Sequence, residues 1–138
     1  MKTETKTVAH RFYECIHSGD FIGLFEMLSD DCVIEFYGPA VIPFAGYFNG
    51  KEKCRIFFGH VANDVDILGF TQDEFIVDEL QAAVTGRLKL RFHATGGIYD
   101  SEYAHIIDVR DGCIVRFRDF QNSAKAAAVC AAVETPVR

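Results

Sequence analysis

The sequence has no tryptophan, only 3 prolines and no apolar run long enough to cross a membrane as a helix. Its longest uncharged stretch, 36–50, is broken by two prolines, whereas a membrane span takes about 20 apolar residues. The N-terminal segment also lacks the apolar stretch of a secretory signal. We therefore predict no membrane partner and no cleaved leader.

Positive charge is scarce, with 14 Lys and Arg against 20 Asp and Glu and a net charge of -6. Because this balance repels phosphate backbones and anionic lipid heads, it argues against nucleic-acid and membrane-surface partners. The sequence has no Walker loop, no dinucleotide glycine motif and no G-x-S-x-G, and its histidines lack metal-ligand spacing. We therefore predict neither a cofactor nor a metal.

Cysteine pairing is not indicated either. The five cysteines are odd in number, widely spaced and never in a C-x-x-C arrangement. Reduced thiols are typical of the cytosol, so we predict a cytoplasmic protein.

What the chain does contain is apolar and aromatic. Among its 138 residues, 49% are hydrophobic and 13 are phenylalanine. This length suits one core, so we predict a single domain over 1–138 with an aromatic-lined interior.

Apolar spacing and turn residues predict an α+β fold. Helices are predicted at 5–18, 21–28, 50–64 and 124–132, with Pro136 forbidding continuation of the last. Strands are predicted at 32–37, 67–78, 81–93, 98–110 and 113–121, with hairpin turns at 95–97 and 111–112. Helices on one side of a curved, mostly antiparallel sheet leave a cone-shaped pocket for an apolar ligand.

The register of the last hairpin is left open by the sequence. Without a bulge, the Asp111-Gly112 turn sets Ala104 opposite Asp119. A one-residue bulge instead brings His105 or Tyr103 beside Asp119. Alternation also assigns three apolar side chains to the outer sheet face, where they predict a homodimer contact: Ile106, Ile114 and Phe120.

Three segments resemble the SnoaL-like, ketosteroid isomerase-like branch of the nuclear transport factor 2-like superfamily. They read HRFYECIHSGDFIGLFEMLSDDCVIEFYGP, PFAGYFNGKEKCRIFF and DGCIVRFRDFQNSAKAAA. The resemblance implies the cystatin-like roll of that superfamily, in which helices and a curved sheet enclose a pocket. It identifies the fold better than the reaction, since the superfamily includes isomerases, cyclases, epoxide hydrolases and members without activity.

The ketosteroid isomerase mechanism does not carry over. The resemblance places the isomerase tyrosine at Phe12 and its aspartate base at Phe36, and neither side chain can move a proton. The oxyanion aspartate corresponds to His105. Epoxide hydrolases place an arginine and an aspartate where this chain has 87–89, Arg-Leu-Lys, which weakens that interpretation.

Cyclases of the superfamily carry a working carboxylate on the last strand, which the resemblance places at Asp119. It also places His105 and Tyr103 in the pocket and so favours the bulged register. We therefore predict a cofactor-independent isomerase, cyclase or lyase that uses Asp119 and His105 as acid and base, with Tyr13 and Tyr103 as oxyanion donors. The predicted ligand contacts are Phe12, Tyr13, Phe36, Phe58, Tyr103, Phe117 and Gln121.

Two alternatives remain open at this stage. Loss of both isomerase positions to phenylalanine favours a module that binds a small apolar molecule without changing it. An exposed apolar sheet face favours a dimerisation domain.

Overall fold

The computed structural model describes residues 2–131. Within them, no helix has both the length and the apolar character needed to cross a bilayer. Four helices and six strands follow one another in this order: α1 (Lys2–Ser18), α2 (Phe21–Glu26), β1 (Leu28–Phe36), β2 (Gly46–Asn49), α3 (Lys51–Asn63), β3 (Val65–Val77), β4 (Gln81–Phe92), β5 (Ile98–Arg110), β6 (Cys113–Gln121) and α4 (Ser123–Ala131).

The strands form one curved, unclosed sheet in the order β2-β1-β6-β5-β4-β3. All neighbours are antiparallel except β1 and β6, which are parallel. Two register shifts between β3 and β4, at 67–69 and 72–74, bend the edge of the sheet because bulges increase twist and curvature. The N-terminal helices cover the inner face, which confirms the predicted α+β cone.

Phenylalanine rings fill much of the space between helices and sheet. The ring of Phe12 on α1 lies 5.1 Å from that of Phe117 on β6 and 6.0 Å from that of Phe58 on α3, and all three are buried. Burying one such side chain contributes about 1.5–3 kcal/mol, so contacts of this kind hold α1 and α3 on the sheet.

The β5–β6 hairpin contains the predicted one-residue bulge. Val109 pairs with Ile114 and Asp108 with Arg116, so Val115 lies between them without a partner. His105 therefore stands opposite Asp119, which confirms the bulged register and excludes the bulge-free one.

The same bulge corrects the predicted outer face. Ile114 is fully buried, although simple alternation placed it outside with Ile106 and Phe120. The extra residue shifts the alternation of side chains by one position at the start of β6. Ile114 therefore points inward, while Phe120 remains 40% exposed.

Some element boundaries differ from the sequence prediction. The second helix ends at Glu26 and β1 begins at Leu28, so 29–31 belongs to a strand rather than a turn. The segment predicted as a loop around Gly46 contains β2, a four-residue edge strand that pairs with β1. The predicted helix end at Ala132 and stop at Pro136 lie outside the described residues.

Candidate functional site

A cavity of about 70 Å³ lies between the helices and the inner face of the sheet. This is smaller than the ~300–1,000 Å³ of typical ligand pockets. Ile67, at 42% exposure, marks the side where the cavity meets solvent. Twelve apolar residues line it: Phe12, Ile16, Phe44, Phe57, Phe58, Val61, Val65, Ile67, Phe70, Leu88, Leu90 and Phe117.

Three polar side chains complete the lining, and all come from β5 and β6. They are His105, Asp119 and Gln121. The polar groups are thus gathered on one wall of an otherwise apolar space, an arrangement that orients a ligand by one end.

His105 and Asp119 form the centre of this wall. Nε2 of His105 lies 3.2 Å from Oδ1 of Asp119, and the residues are only 3% and 6% exposed. Their proximity follows from the hairpin register, since directly opposed residues have Cβ atoms about 4.5–5.5 Å apart. A buried acid and base in contact can exchange and hold a proton.

Tyr13 lies behind His105, not in the cavity lining. Its hydroxyl oxygen is 2.7 Å from Nδ1 of His105, and the two ring planes are nearly parallel, 6° apart, with centroids 5.8 Å apart. Burial raises the pKa of the Tyr13 phenol well above its usual value, and the nearby Tyr103 and Asp119 raise it further. The phenol therefore stays protonated across the physiological range.

Gln121 bonds Asp119 from the other side. Its Nε2 donates to Oδ1 of Asp119 at 3.0 Å, while the hydroxyl of Tyr99 donates to its Oε1 at 3.0 Å. Oδ1 therefore makes both the contact with His105 and the bond from Gln121, which leaves Oδ2 of Asp119 for a ligand.

Tyr103 contacts His105 through its ring rather than its hydroxyl and does not line the cavity. The ring stacks on His105 with centroids 4.2 Å apart, while the hydroxyl donates to the carbonyl of Thr71 at 2.9 Å and accepts from Gln72 at 3.1 Å. Burial raises the pKa of Tyr103 to about 12, against a smaller lowering by the Gln72 bond. A Cβ on Gly86 would come within 1.8 Å of the Thr71 oxygen, so this close packing requires glycine.

The structure brings six of the nine predicted site residues to the cavity: Phe12, Phe58, His105, Phe117, Asp119 and Gln121. The other three lie outside the lining. Tyr13 and Tyr103 turn their hydroxyls to other partners, and Phe36 packs against Phe44 with ring centroids 5.0 Å apart.

Sequence reasoning missed most of the apolar lining. The usable signals were the helical spacing that puts Ile16, Phe57 and Val61 on apolar helix faces and the alternation of Leu88 and Leu90 along β4. Phe44 precedes β2 in an irregular segment, where no periodicity indicates which side chains turn inward.

Comparison with known proteins gives one family match. Residues 9–117 match the model of the SnoaL-like domain. No curated protein sequence matches the chain.

Solved structures give strong matches in fold at low sequence identity. A nuclear transport factor 2-like protein from Burkholderia xenovorans superposes with a TM-score of 0.85 at 19% identity, covering 94% of this chain and 98% of that one. A candidate isomerase from Rhodopseudomonas palustris gives 0.78 at 19% identity, covering 86% and 92%. A candidate SnoaL-like polyketide cyclase from Mesorhizobium loti gives 0.68 at 22% identity, covering 83% and 97%.

Proposed function

The chain belongs to the SnoaL-like domain family, and from that premise we propose that it binds a small uncharged carbonyl compound and moves a proton on it without a cofactor. Asp119 and His105 are the catalytic residues of this proposal. The observation that carries it is their contact, Nε2 to Oδ1 at 3.2 Å, on the polar wall of an apolar cavity.

The proposed step is enolisation. The carboxylate of Asp119 removes a proton from the carbon next to the substrate carbonyl; the electron pair of that C–H bond forms a C=C bond, and the π pair of the carbonyl moves onto its oxygen to give the enolate. Return of the proton to another carbon isomerises the substrate, whereas attack of the enolate carbon on a second carbonyl closes a ring. Such acid–base catalysis contributes typically ~10²- to 10⁴-fold.

The enolate oxygen needs a donor, and the N–H of His105 is the cavity group suited to this role. Tyr13 and Tyr103 were predicted as oxyanion donors, but each would have to leave its present bond to serve. His105 already lies in the lining beside Asp119. A donor held in place before reaction is worth more than one that must first reorganise.

The lining also restricts the substrate class. It contains twelve apolar side chains, one carboxylate and no lysine or arginine, which favours an uncharged molecule over a phosphate or carboxylate ester. At about 70 Å³ the space suits a small ring or chain unless the side chains near Ile67 move. Isomerase and cyclase, the activities ascribed to two of the similar structures, are both reactions that can begin with enolisation.

Hydrogen–deuterium exchange tests the proposal without a known substrate. Small cyclic ketones incubated with the protein in D₂O should exchange the protons next to the carbonyl faster than with buffer alone. Asp119→Asn should reduce that rate about 10²- to 10⁴-fold. The matched control is Asp108→Asn, a half-buried carboxylate on the other face of β5. Equal exchange by the wild type and Asp119→Asn would reject Asp119 as the base.

A non-catalytic binding module is the second candidate. Phe12 is fully buried and lines the cavity at the position that the isomerase resemblance gives to tyrosine, so the cavity has one polar group fewer for chemistry. Native mass spectrometry would support this candidate by showing a retained compound that is released unchanged while no ketone exchanges.

We also propose a cytoplasmic homodimer. The five cysteines are free, which supports a reducing compartment. On the outer sheet face, the exposed ring of Phe120 stacks on Tyr37 with centroids 5.0 Å apart, and Ile106 is half-buried nearby on β5. Sedimentation at micromolar concentration should give a dimer that Phe120→Lys weakens; a wild-type monomer would reject this interface.

A further inference from the structure

We propose that Tyr13 is a positioning residue that fixes His105 as the neutral tautomer with its proton on Nε2, so that an N–H donor stands beside the carboxylate of Asp119 in the cavity lining. This inference rests on the proposed function for its catalytic meaning, although the tautomer can be tested without a substrate.

The first step concerns the Tyr13 hydroxyl. It is bonded to Nδ1 of His105 at 2.7 Å, and the residue is only 2% exposed. Its ring is surrounded by aromatic rings, those of Phe12, Phe70 and Phe75. If Nδ1 carried a proton, the buried hydroxyl hydrogen would lose its acceptor, at a cost of about 1–3 kcal/mol. The hydroxyl therefore donates, and Nδ1 accepts.

The second step follows from imidazole chemistry. A neutral histidine has one donor nitrogen and one acceptor nitrogen, so an accepting Nδ1 puts the proton on Nε2. Nε2 faces Oδ1 of Asp119 at 3.2 Å. Tyr13 thereby places the N–H of His105 beside the carboxylate, on the ring that lines the cavity, although Tyr13 does not line the cavity itself.

On the side away from His105, Asp119 is positioned by a hydrogen bond from Gln121. The carboxylate of Asp119 only accepts, so the amide of Gln121 turns its NH₂ group to Oδ1 and its Oε1 to the hydroxyl of Tyr99, which also lies 3.3 Å from the carbonyl of Asn122. A tyrosine hydroxyl thus bonds each neighbour of Oδ1: Tyr13 bonds His105, and Tyr99 bonds Gln121. The bond from Gln121 engages Oδ1 and leaves Oδ2 as the oxygen for proton transfer.

Nitrogen-15 NMR of histidine-labelled wild-type protein tests the tautomer. Long-range proton–nitrogen correlations should show His105 neutral at pH 7, protonated on Nε2 and not on Nδ1, with the signal assigned by its loss in His105→Gln. A proton on Nδ1, alone or together with Nε2, would overturn the inference, since Tyr13 would then be the acceptor.

Tyr13→Phe tests the positioning role. In this variant the Nδ1 signal should move towards that of an imine nitrogen without a hydrogen bond, and kcat for ketone exchange should fall at least 10-fold while KM changes less than 3-fold. Tyr47→Phe, at an exposed tyrosine on β2, is the matched control and should change neither. An unchanged Nδ1 signal in Tyr13→Phe would contradict the role.

The outcomes separate the two proposals. If the wild type shows the Nε2 tautomer of His105 but does not speed the exchange of ketone protons, the proposed function is rejected. The hydrogen bond between Tyr13 and His105 is then still supported. If Tyr13→Phe does not fold, Gln121→Leu tests the hydrogen bond from Gln121 to Oδ1 of Asp119, because removing that donor should also lower kcat while leaving the His105 tautomer on Nε2. Unchanged kcat in Gln121→Leu would reject a positioning role for that bond.

Discussion

His105 and Asp119 are directly opposed across β5 and β6, with Nε2 of one 3.2 Å from Oδ1 of the other. A single unpaired residue in β6, Val115, produces this relationship, because without it Ala104 would take the place of His105. The candidate active pair therefore depends on backbone register as much as on side-chain identity.

A double-mutant cycle should show that the pair is energetically coupled. Asp119→Leu removes the carboxylate beside the buried neutral N–H of His105, and we expect it to cost about 1–3 kcal/mol. His105→Leu leaves the buried carboxylate with one polar neighbour fewer, and we expect it to cost about 3–5 kcal/mol. The double variant should cost less than the sum by about 0.5–3 kcal/mol, since it leaves neither group unpaired. Urea unfolding measures all four proteins, and strict additivity would contradict the coupling.

Gly86→Ala should be strongly destabilising. The added methyl group would lie 1.8 Å from the Thr71 carbonyl oxygen and 2.8 Å from the Tyr103 hydroxyl, so β3 and β4 would have to separate. We expect a loss of more than about 2 kcal/mol in urea unfolding. Gly59→Ala in α3 is the control: nothing lies within 4 Å, and it should stabilise by up to about 1 kcal/mol. Equal effects of the two substitutions would refute the packing argument.

Alkaline pH should destabilise the protein partly through Tyr103. Its pKa is raised to about 12 in the folded state, whereas a tyrosine in the unfolded chain titrates near 10. The unfolded chain therefore loses the proton first, so the contribution is complete below pH 10 and disappears as pH rises towards 12. At pH 11 the loss is about 1 kcal/mol.

Comparison with Tyr103→Phe isolates this contribution. The difference in unfolding free energy between wild type and Tyr103→Phe should shift by about that amount between pH 8 and pH 11, with the wild type losing more. A difference that stays constant with pH would contradict the raised pKa.

Phe58→Ala should enlarge the cavity and make it receptive to a small apolar probe. Truncating this buried ring should cost about 3–5 kcal/mol, because transfer energy and packing contacts are both lost. Benzene should then raise the melting temperature of the variant more than that of the wild type, since dry cavities near 150 Å³ bind benzene. Ile56→Ala, an exposed site on the same helix, should show neither effect.

The sequence predicted the structure well where a particular backbone conformation requires a particular residue type. Asp111 and Gly112 both have positive φ, as the predicted two-residue turn requires, so the hairpin could be identified from the dipeptide. The bulge position could not, because Ile114 and Val115 are both β-branched and apolar and fit either face. The strand β2 was missed because its four residues are largely exposed and show no alternation.

Within the candidate site, the acid–base pair could be predicted from the sequence, whereas the hydrogen bonds around that pair could be predicted less well. Asp119 and His105 followed from alternation together with the family resemblance, and the structure brings them into contact. The orientation of a tyrosine hydroxyl depends on which acceptor lies within about 3 Å, which no sequence spacing encodes. Tyr13 was therefore predicted to contact the ligand, whereas it lies behind the cavity lining with its hydroxyl bonded to His105.

The position of β6 between β1 and β5 determines when the site can form. β1 ends at Phe36, and its parallel neighbour begins only at Cys113, so the chain must close a long loop before the centre of the sheet is complete. Contacts so distant in sequence slow folding, and a nascent chain lacking β6 would expose two unpaired strand edges. The strand that carries Asp119 is thus the piece that joins the two halves of the sheet during biosynthesis.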